Sequence, residues 1–226
     1  MTPAGPAGAG MAARFAAAFA VVLAAPAARA EPSDRALVLT GLAMAPPTYL
    51  IGVTLHEGSH ALAAVTVGAT VEALHLFPPG RDPTTGTFRF GWTYVRGLRT
   101  PGERAAFYLA PKLTDAVLLG GFAALAFTGA WPDNRYGGLA LTVFATGLWV
   151  DFSKDVVLFA PTNDVVKGFD LIGATGWWQV PARLVYAGLV VSAGLVVARG
   201  YQRTFERSAS PPTARPLVLP LAALAF

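Results

Sequence analysis

Long apolar runs separated by short polar segments dominate the pattern along this chain. From Ala36 to Val71 the only acidic, basic or histidine side chains are His56, Glu57 and His60. A straight helix of that length would measure about 54 Å, against about 30 Å for the hydrocarbon core of a bilayer. Because proline is tolerated in the first turn of a helix, the pattern predicts a membrane-spanning helix from about Pro46 to Val67.

Three more apolar regions follow, at Ala105–Thr128, Tyr136–Val150 and Val180–Ala198. The second of these is short for a full span, and Trp177 and Trp178 precede the last, where aromatic side chains are typical of a membrane interface. The pattern therefore predicts an all-α polytopic membrane protein with about four transmembrane helices.

The segment between the first two apolar regions has a different periodicity. Residues 70–78 and 85–95 alternate partly between apolar and polar types and flank the turn-rich 79–86. This pattern predicts a β-hairpin-like loop after the first helix. The loop region carries five arginines, which place it on the cytoplasmic side by the positive-inside rule: Arg81, Arg89, Arg96, Arg99 and Arg104. Because successive membrane spans cross in opposite directions, the arginines of the C-terminal tail are predicted to lie outside, against that rule.

The ends of the chain differ from its middle. An apolar core at 15–27 is followed by Ala28-Arg29-Ala30, which fits a small-x-small cleavage site. We interpret residues 1–30 as a signal peptide or N-terminal membrane anchor, 31–200 as a membrane-embedded domain, and 201–226 as a C-terminal tail.

Composition narrows the class of protein. Of 226 residues, 54% are hydrophobic and 13% are charged, whereas soluble domains carry about 25% charged residues. The net charge of +4 comes mostly from scattered arginines, so we expect the lipid bilayer rather than nucleic acid as a partner. The chain has no cysteine, which excludes disulfides and thiolate metal sites.

The charged group within the first apolar run has the pattern H-E-x-x-H, from His56 to His60. Residues four apart share a helix face, so both imidazoles can bind one Zn²⁺. Glu57 is then placed as a general base that takes a proton from a metal-activated water. The alternative is a polar helix–helix contact inside the bundle.

A catalytic zinc normally has three protein ligands. The H-E-x-x-H pattern supplies two of them and does not identify the third. His75 lies on a predicted strand, where a hydrogen-bonded sheet histidine is the better interpretation, and Glu72 falls past the end of the helix. The remaining candidates are four aspartates of the interrupted later segment: Asp151, Asp155, Asp164 and Asp170. Asp151, Lys154 and Asp155 are typical of a helix end in water, and Lys112 with Asp115 is typical of an ion pair at the membrane interface.

An H-E-x-x-H in a membrane helix, a hairpin-like loop, two more helices and a proline-containing break with an aspartate resemble the site-2 protease family of intramembrane zinc metalloproteases. The resemblance covers roughly residues 46–175, and "YLAPKLTD" at 108–115 is similar to the stretch that opens the family's second core helix. It implies a three-helix catalytic core and a third ligand shortly after a proline. "FAPTND" offers Pro161 and Asp164, followed by Val165 rather than by the family's Leu-Asp-Gly ending.

The resemblance therefore implies a zinc endopeptidase in which Zn²⁺ is held by His56, His60 and Asp164, with Glu57 catalytic and Asn163 available to orient a ligand. The expected substrate is a membrane protein with a single-span or signal-type helix, and the expected location is the bacterial cytoplasmic membrane. The alternative is a non-proteolytic metal-binding membrane protein or a degenerate member of the same family. A homo-oligomer is compatible with the sequence, which indicates no subunit number.

Overall fold

The structure, a computed structural model, describes residues 31–157 and 163–206. Residues 1–30, 158–162 and 207–226 lie outside the described residues. The interpretations of the N-terminus, of the break at Pro161 and of most of the tail therefore lie outside them too. The described residues form five α-helices, which we number in chain order: α1 Asp34–Thr66, α2 Pro101–Phe127, α3 Arg135–Val157, α4 Asp164–Leu171 and α5 Gln179–Phe205.

Helix α1 is longer than predicted. It begins at Asp34, where the Ser33 hydroxyl accepts a hydrogen bond from the Ala36 amide at 3.2 Å, and it runs without a break to Thr66. The predicted start at Pro46 is wrong, because both Pro46 and Pro47 lie inside the helix. A proline removes one backbone donor but does not end a helix in which the flanking apolar residues continue to pack.

Helix α2 begins at a reciprocal cap. The Thr100 hydroxyl accepts from the Glu103 amide at 3.1 Å, and the Glu103 carboxylate accepts from the Thr100 amide at 3.2 Å. This capping box and Pro101 in the first turn set the start of the helix. It continues through a second proline, Pro111, which is buried.

Helix α3 packs against α1, α2 and α5. The Trp149 indole donates to the Val190 carbonyl at 2.9 Å, and the Tyr186 hydroxyl donates to the Phe152 carbonyl at 2.6 Å. Both bonds fix α5 against α3 and give buried polar groups a partner. The surrounding core includes Leu119, Phe122, Leu148 and Val197.

Three helical segments are long and apolar enough to cross a membrane: Asp34–Thr66, Pro101–Phe127 and Gly176–Phe205. Helix α3, at the place of the predicted third span, is not one of them, because its last turns carry Asp151, Lys154 and Asp155. The described chain is therefore helical with three candidate spans, one fewer than the approximate number predicted. Helix α5 also extends to Phe205, into the beginning of the predicted tail.

The predicted β-hairpin is confirmed. Strand β1 (Thr70–His75) pairs antiparallel with β4 (Trp92–Arg96), and the short β2 (Gly80–Arg81) pairs with β3 (Phe88–Arg89).

The tip of the hairpin is held by Asp82, which is buried. Its carboxylate accepts from the Tyr94 hydroxyl, from the amides of Thr84 and Thr85 at 2.8 and 3.1 Å, and lies 3.0 Å from Arg89 Nε. These bonds, led by that of Tyr94, lower the pKa of Asp82 to about 2. The Asp82 carboxylate is therefore charged at any physiological pH.

Candidate metal centre

The two histidines of H-E-x-x-H and one aspartate from α4 converge at one point. His56 and His60 lie one turn apart on α1, with ring centroids 5.1 Å apart. Asp164, the first residue of α4, brings Oδ2 to 3.7 Å from His56 Nε2 and to 3.3 Å from His60 Nε2. One donor atom from each residue lies within 4.8 Å of the other two.

The far side of each imidazole ring is also held. Asp151 Oδ2 lies 2.9 Å from His56 Nδ1, and the Phe107 carbonyl oxygen lies 2.7 Å from His60 Nδ1. An acceptor at Nδ1 selects the tautomer with the proton on that nitrogen, which leaves the Nε2 lone pair facing Asp164. Both rings are therefore oriented as metal ligands usually are.

A proline makes the Phe107 carbonyl available to His60. In a regular helix, the carbonyl of residue 107 would accept from the amide of residue 111. Residue 111 is Pro111, which has no amide hydrogen and whose ring crowds the carbonyl four residues earlier. His60 Nδ1 takes the place of the missing helical donor, so a local defect in α2 becomes a fixed contact to α1.

Two of the donor separations in this group are close to those of a zinc site. Nitrogen and carboxylate donors bind zinc at about 2.0–2.2 Å, which puts two donors of a tetrahedral site about 3.3–3.6 Å apart. The two histidine–aspartate separations of 3.7 and 3.3 Å are close to that range. Three protein ligands also leave the fourth position free, as catalytic zinc sites do.

Asp164 is positioned by the start of α4. The side chain of Asn163 caps this helix, since its Oδ1 accepts from the Val165 amide at 2.8 Å. Farther along, a Cβ added to Gly168 would lie 2.5 Å from a side-chain atom of Leu109, so α4 lies closer to α2 than any larger residue at 168 allows. Cap and contact together set where the carboxylate of Asp164 lies.

Glu57 is buried beside the histidines and is held by the hairpin. The Thr93 hydroxyl lies 2.8 Å from Glu57 Oε2 and 3.1 Å from the Glu57 carbonyl. The loop passes so close that a Cβ on Gly91 would lie 2.8 Å from Glu57 Cγ and 3.0 Å from Val53 Cγ1. Strand β4 therefore fixes the carboxylate that is predicted to be the general base.

A cavity of about 1290 Å³ opens onto this group. His56, Glu57, His60 and Asp164 all line it, together with the apolar face of α1 and residues 88–95 of the hairpin. Lys167 also lines it, with Nζ 3.6 Å from Asp164 Oδ1 and 4.7 Å from the centroid of the Tyr108 ring. The sequence analysis did not identify Lys167, although it shares a helix face with Asp164 three residues earlier.

The other candidate ligands lie elsewhere. Asp170 is exposed and accepts from the Gln179 side chain. Glu72 forms an exposed ion pair with Arg96, and His75 stacks on Trp92 and contacts the Pro78 carbonyl at 2.7 Å, as predicted for a sheet histidine.

The structure corrects one prediction about charged residues in part. Lys112 and Asp115 form the predicted i, i+3 ion pair, with 3.8 Å between Nζ and Oδ2, and both are only 4% exposed inside the helix bundle. Asp151, Lys154 and Asp155 lie in the last turns of α3, as predicted, but the prediction that they lie in water is wrong for two of them, because Asp155 is 5% exposed and Asp151 contacts His56. The spacing in the sequence could have indicated this burial. Asp151 and Asp155 are four residues apart, so they share a helix face, which here is turned toward α1 and α2.

No protein-family model, curated protein or solved structure matches this chain. The resemblance to site-2 proteases therefore stays a prediction.

Proposed function

We propose that this protein is a zinc-dependent intramembrane endopeptidase. The observation that carries the proposal is the convergence of His56 Nε2, His60 Nε2 and an Asp164 oxygen beside a buried Glu57, in a cavity with largely apolar walls. A bare polar helix contact would not require two imidazoles turned to one point with their far nitrogens held by separate acceptors.

His56, His60 and Asp164 would hold the metal, which when bound acts as a Lewis acid on the scissile carbonyl and lowers the pKa of a water molecule. Glu57 would take a proton from the attacking water as its oxygen bonds to the carbonyl carbon. It would pass that proton to the amide nitrogen as the C–N bond breaks, which frees the new amino terminus. Thr93 holds Glu57 Oε2 and leaves the other carboxylate oxygen for this transfer. Lys167 lines the same cavity with Nζ 3.6 Å from Asp164 Oδ1, so it adds a positive charge beside the proposed metal site.

The substrate class follows from the walls of the cavity. Apolar residues of α1 line one side, which suits a membrane-spanning segment, and hairpin residues 88–95 line another. Peptide bonds in a helix are hydrogen-bonded and shielded, so the substrate segment must be extended when it is cut. A strand of the hairpin can receive that extended segment by strand addition.

The arrangement in the membrane is also part of the proposal. Helix α1, with 33 residues, measures about 50 Å and must tilt or project beyond a bilayer core of about 30 Å. Trp177 and Trp178 are 89% and 76% exposed at the start of the last candidate span, as interface anchors are. We place the protein in the bacterial cytoplasmic membrane as a multi-pass protein, with the arginine-rich hairpin on the cytoplasmic side.

The test combines metal analysis of the purified protein with cleavage of a panel of single-span substrates. Glu57→Gln should keep zinc and lose about 10²–10⁴-fold in turnover, the usual contribution of general-base catalysis. Glu72→Gln is the matched control, because Glu72 is exposed on the hairpin and contacts only Arg96 among the described ion pairs. Wild-type turnover in Glu57→Gln refutes the assigned role, and bound zinc without cleavage of any substrate supports the non-proteolytic alternative.

A further inference from the structure

Lys112 is a buried cation at the meeting point of α2 and α3. Its side chain is 5% exposed, and its Nζ lies 2.6 Å from Asp151 Oδ2, 2.9 Å from Asp155 Oδ2 and 3.8 Å from Asp115 Oδ2. It also donates to the backbone carbonyl of Asp151 at 2.7 Å. Three carboxylates around one ammonium group are expensive to bury, and an apolar core of the same volume would often be at least as stable. The cluster therefore calls for a reason other than stability.

One series of contacts connects Lys112 to His56. Asp151 Oδ2 contacts both Lys112 Nζ and His56 Nδ1, so one oxygen atom joins the cation to a proposed metal ligand. Lys112 fixes this carboxylate in two ways, because it binds both the side chain and the backbone carbonyl of Asp151. Lys154 Nζ contacts the other oxygen, Asp151 Oδ1, at 2.5 Å, but its side chain is 44% exposed. The buried Lys112 therefore holds the oxygen that contacts His56.

A second series of contacts connects Lys112 to Asp164. Asp155 contacts Lys112 through Oδ2 and accepts from Asn163 Nδ2 through Oδ1 at 2.6 Å. Asn163 is the N-cap of α4, and Asp164 is the next residue. The lysine is therefore connected, through Asp155 and the helix cap, to the start of the helix that presents the third ligand.

We propose that Lys112 is the positioning residue of the metal centre, which sets the geometry of His56 and Asp164 from one buried charge. The inference rests on the proposed metal site, and it assigns to Lys112 no contact with metal or substrate. It gives a role to a helix that supplies no ligand and yet carries a buried cation beside the site. The neighbouring Pro111 serves the remaining ligand, His60, through the Phe107 carbonyl.

The experiment measures zinc affinity by chelator competition and the visible spectrum of the Co²⁺-substituted protein, on the full chain in detergent. Loss of one partner of a metal ligand typically weakens metal binding about 10–100-fold. Because Lys112 supports two ligands, we expect Lys112→Met to reach the upper end, about 100-fold, with a changed cobalt spectrum. Lys112→Arg keeps the charge and should recover part of the affinity.

Arg135→Met is the matched control, because it also removes a poorly exposed cation that joins helices. Arg135 donates to the Thr204 and Pro32 carbonyls at 3.0 and 2.7 Å and to Asp34 at 2.7 Å, and it is not among the residues that line the cavity. We expect this variant to unfold at lower temperature while its zinc affinity stays within about twofold of wild type.

The outcomes separate the inference from the proposed function. Zinc affinity and a cobalt spectrum like those of the wild type in Lys112→Met overturn the inference, as does an equal loss of affinity in Arg135→Met. If Lys112→Met does not fold, Asp155→Asn decides, since an unchanged zinc affinity there removes the link to Asp164. A wild-type protein that binds zinc and cleaves nothing overturns the peptidase alone, whereas one that binds no zinc overturns both proposals.

Discussion

Substituting Pro111 by alanine should make the protein more stable and its metal site weaker. The alanine restores an amide hydrogen at position 111, and the natural acceptor of that hydrogen is the Phe107 carbonyl four residues earlier. In the structure this carbonyl is bound to His60 Nδ1 at 2.7 Å. The new helical bond turns the carbonyl back along the axis of α2 and away from the histidine ring.

The expected changes in stability and in zinc affinity have opposite signs and can be estimated separately. Proline is about 3 kcal/mol less favourable than alanine in a helix interior, so the metal-free protein should gain up to about that much free energy of unfolding. A histidine ligand that loses its outer partner typically costs about 10–100-fold in metal affinity. At about 1.4 kcal/mol per factor of ten, this is about 1.4–2.8 kcal/mol of metal-binding free energy.

The assay compares chemical unfolding of the metal-free protein with zinc affinity from chelator competition. Pro46→Ala is the control, since Pro46 also lies inside a helix but does not line the cavity. It should share the gain in stability and keep the affinity. The reasoning is refuted if Pro111→Ala binds zinc as tightly as Pro46→Ala, because the freed carbonyl then contributes nothing to the ligand.

Three further predictions concern single positions. Asp164→Ala should lose zinc and cleavage while Asp170→Ala keeps both, and the reverse result would move the site along α4. A cysteine introduced at Thr85, the sole thiol in the chain, should resist an impermeant label added outside intact cells, because the hairpin is predicted to be cytoplasmic; labelling there contradicts the topology. Gly91→Ala should displace Glu57 and reduce turnover about 100-fold with zinc retained, and unchanged turnover would show that the hairpin does not position the base.

Sequence reasoning reached those parts of the molecule that local patterns determine. The 3.6-residue period of α1 is enough to put His56 and His60 on one face, and alternation with turn residues is enough to indicate the hairpin. Asp164 was expected beside the histidines from its place after a proline, and the structure brings it there.

The parts that sequence reasoning missed depend on tertiary contacts. A charge near the end of an apolar run looks solvated until the helix across from it is known. For this reason the sequence predicts a solvated Asp155 and does not indicate that Lys112 and Asp115 are buried in the bundle. The partner of His60 is a backbone carbonyl, which has no signature of its own in the sequence. Pro111 predicts that the carbonyl at Phe107 lacks its helical donor, but not which side chain takes its place.

The position of Asp164 in the chain has a consequence for biosynthesis. It follows His60 by 104 residues (164 − 60), which a ribosome adding about 5–20 residues per second needs about 5–20 s to make. During that interval the emerging chain carries the two histidines and Glu57 without the third ligand. On the proposed function, the nascent protein would therefore pass through the insertion machinery, among other unfolded membrane segments, before it could cut any of them. Docking of α4 onto α2, where Gly168 meets Leu109, would complete the proposed enzyme, so proteolytic capacity would arrive only with the finished fold.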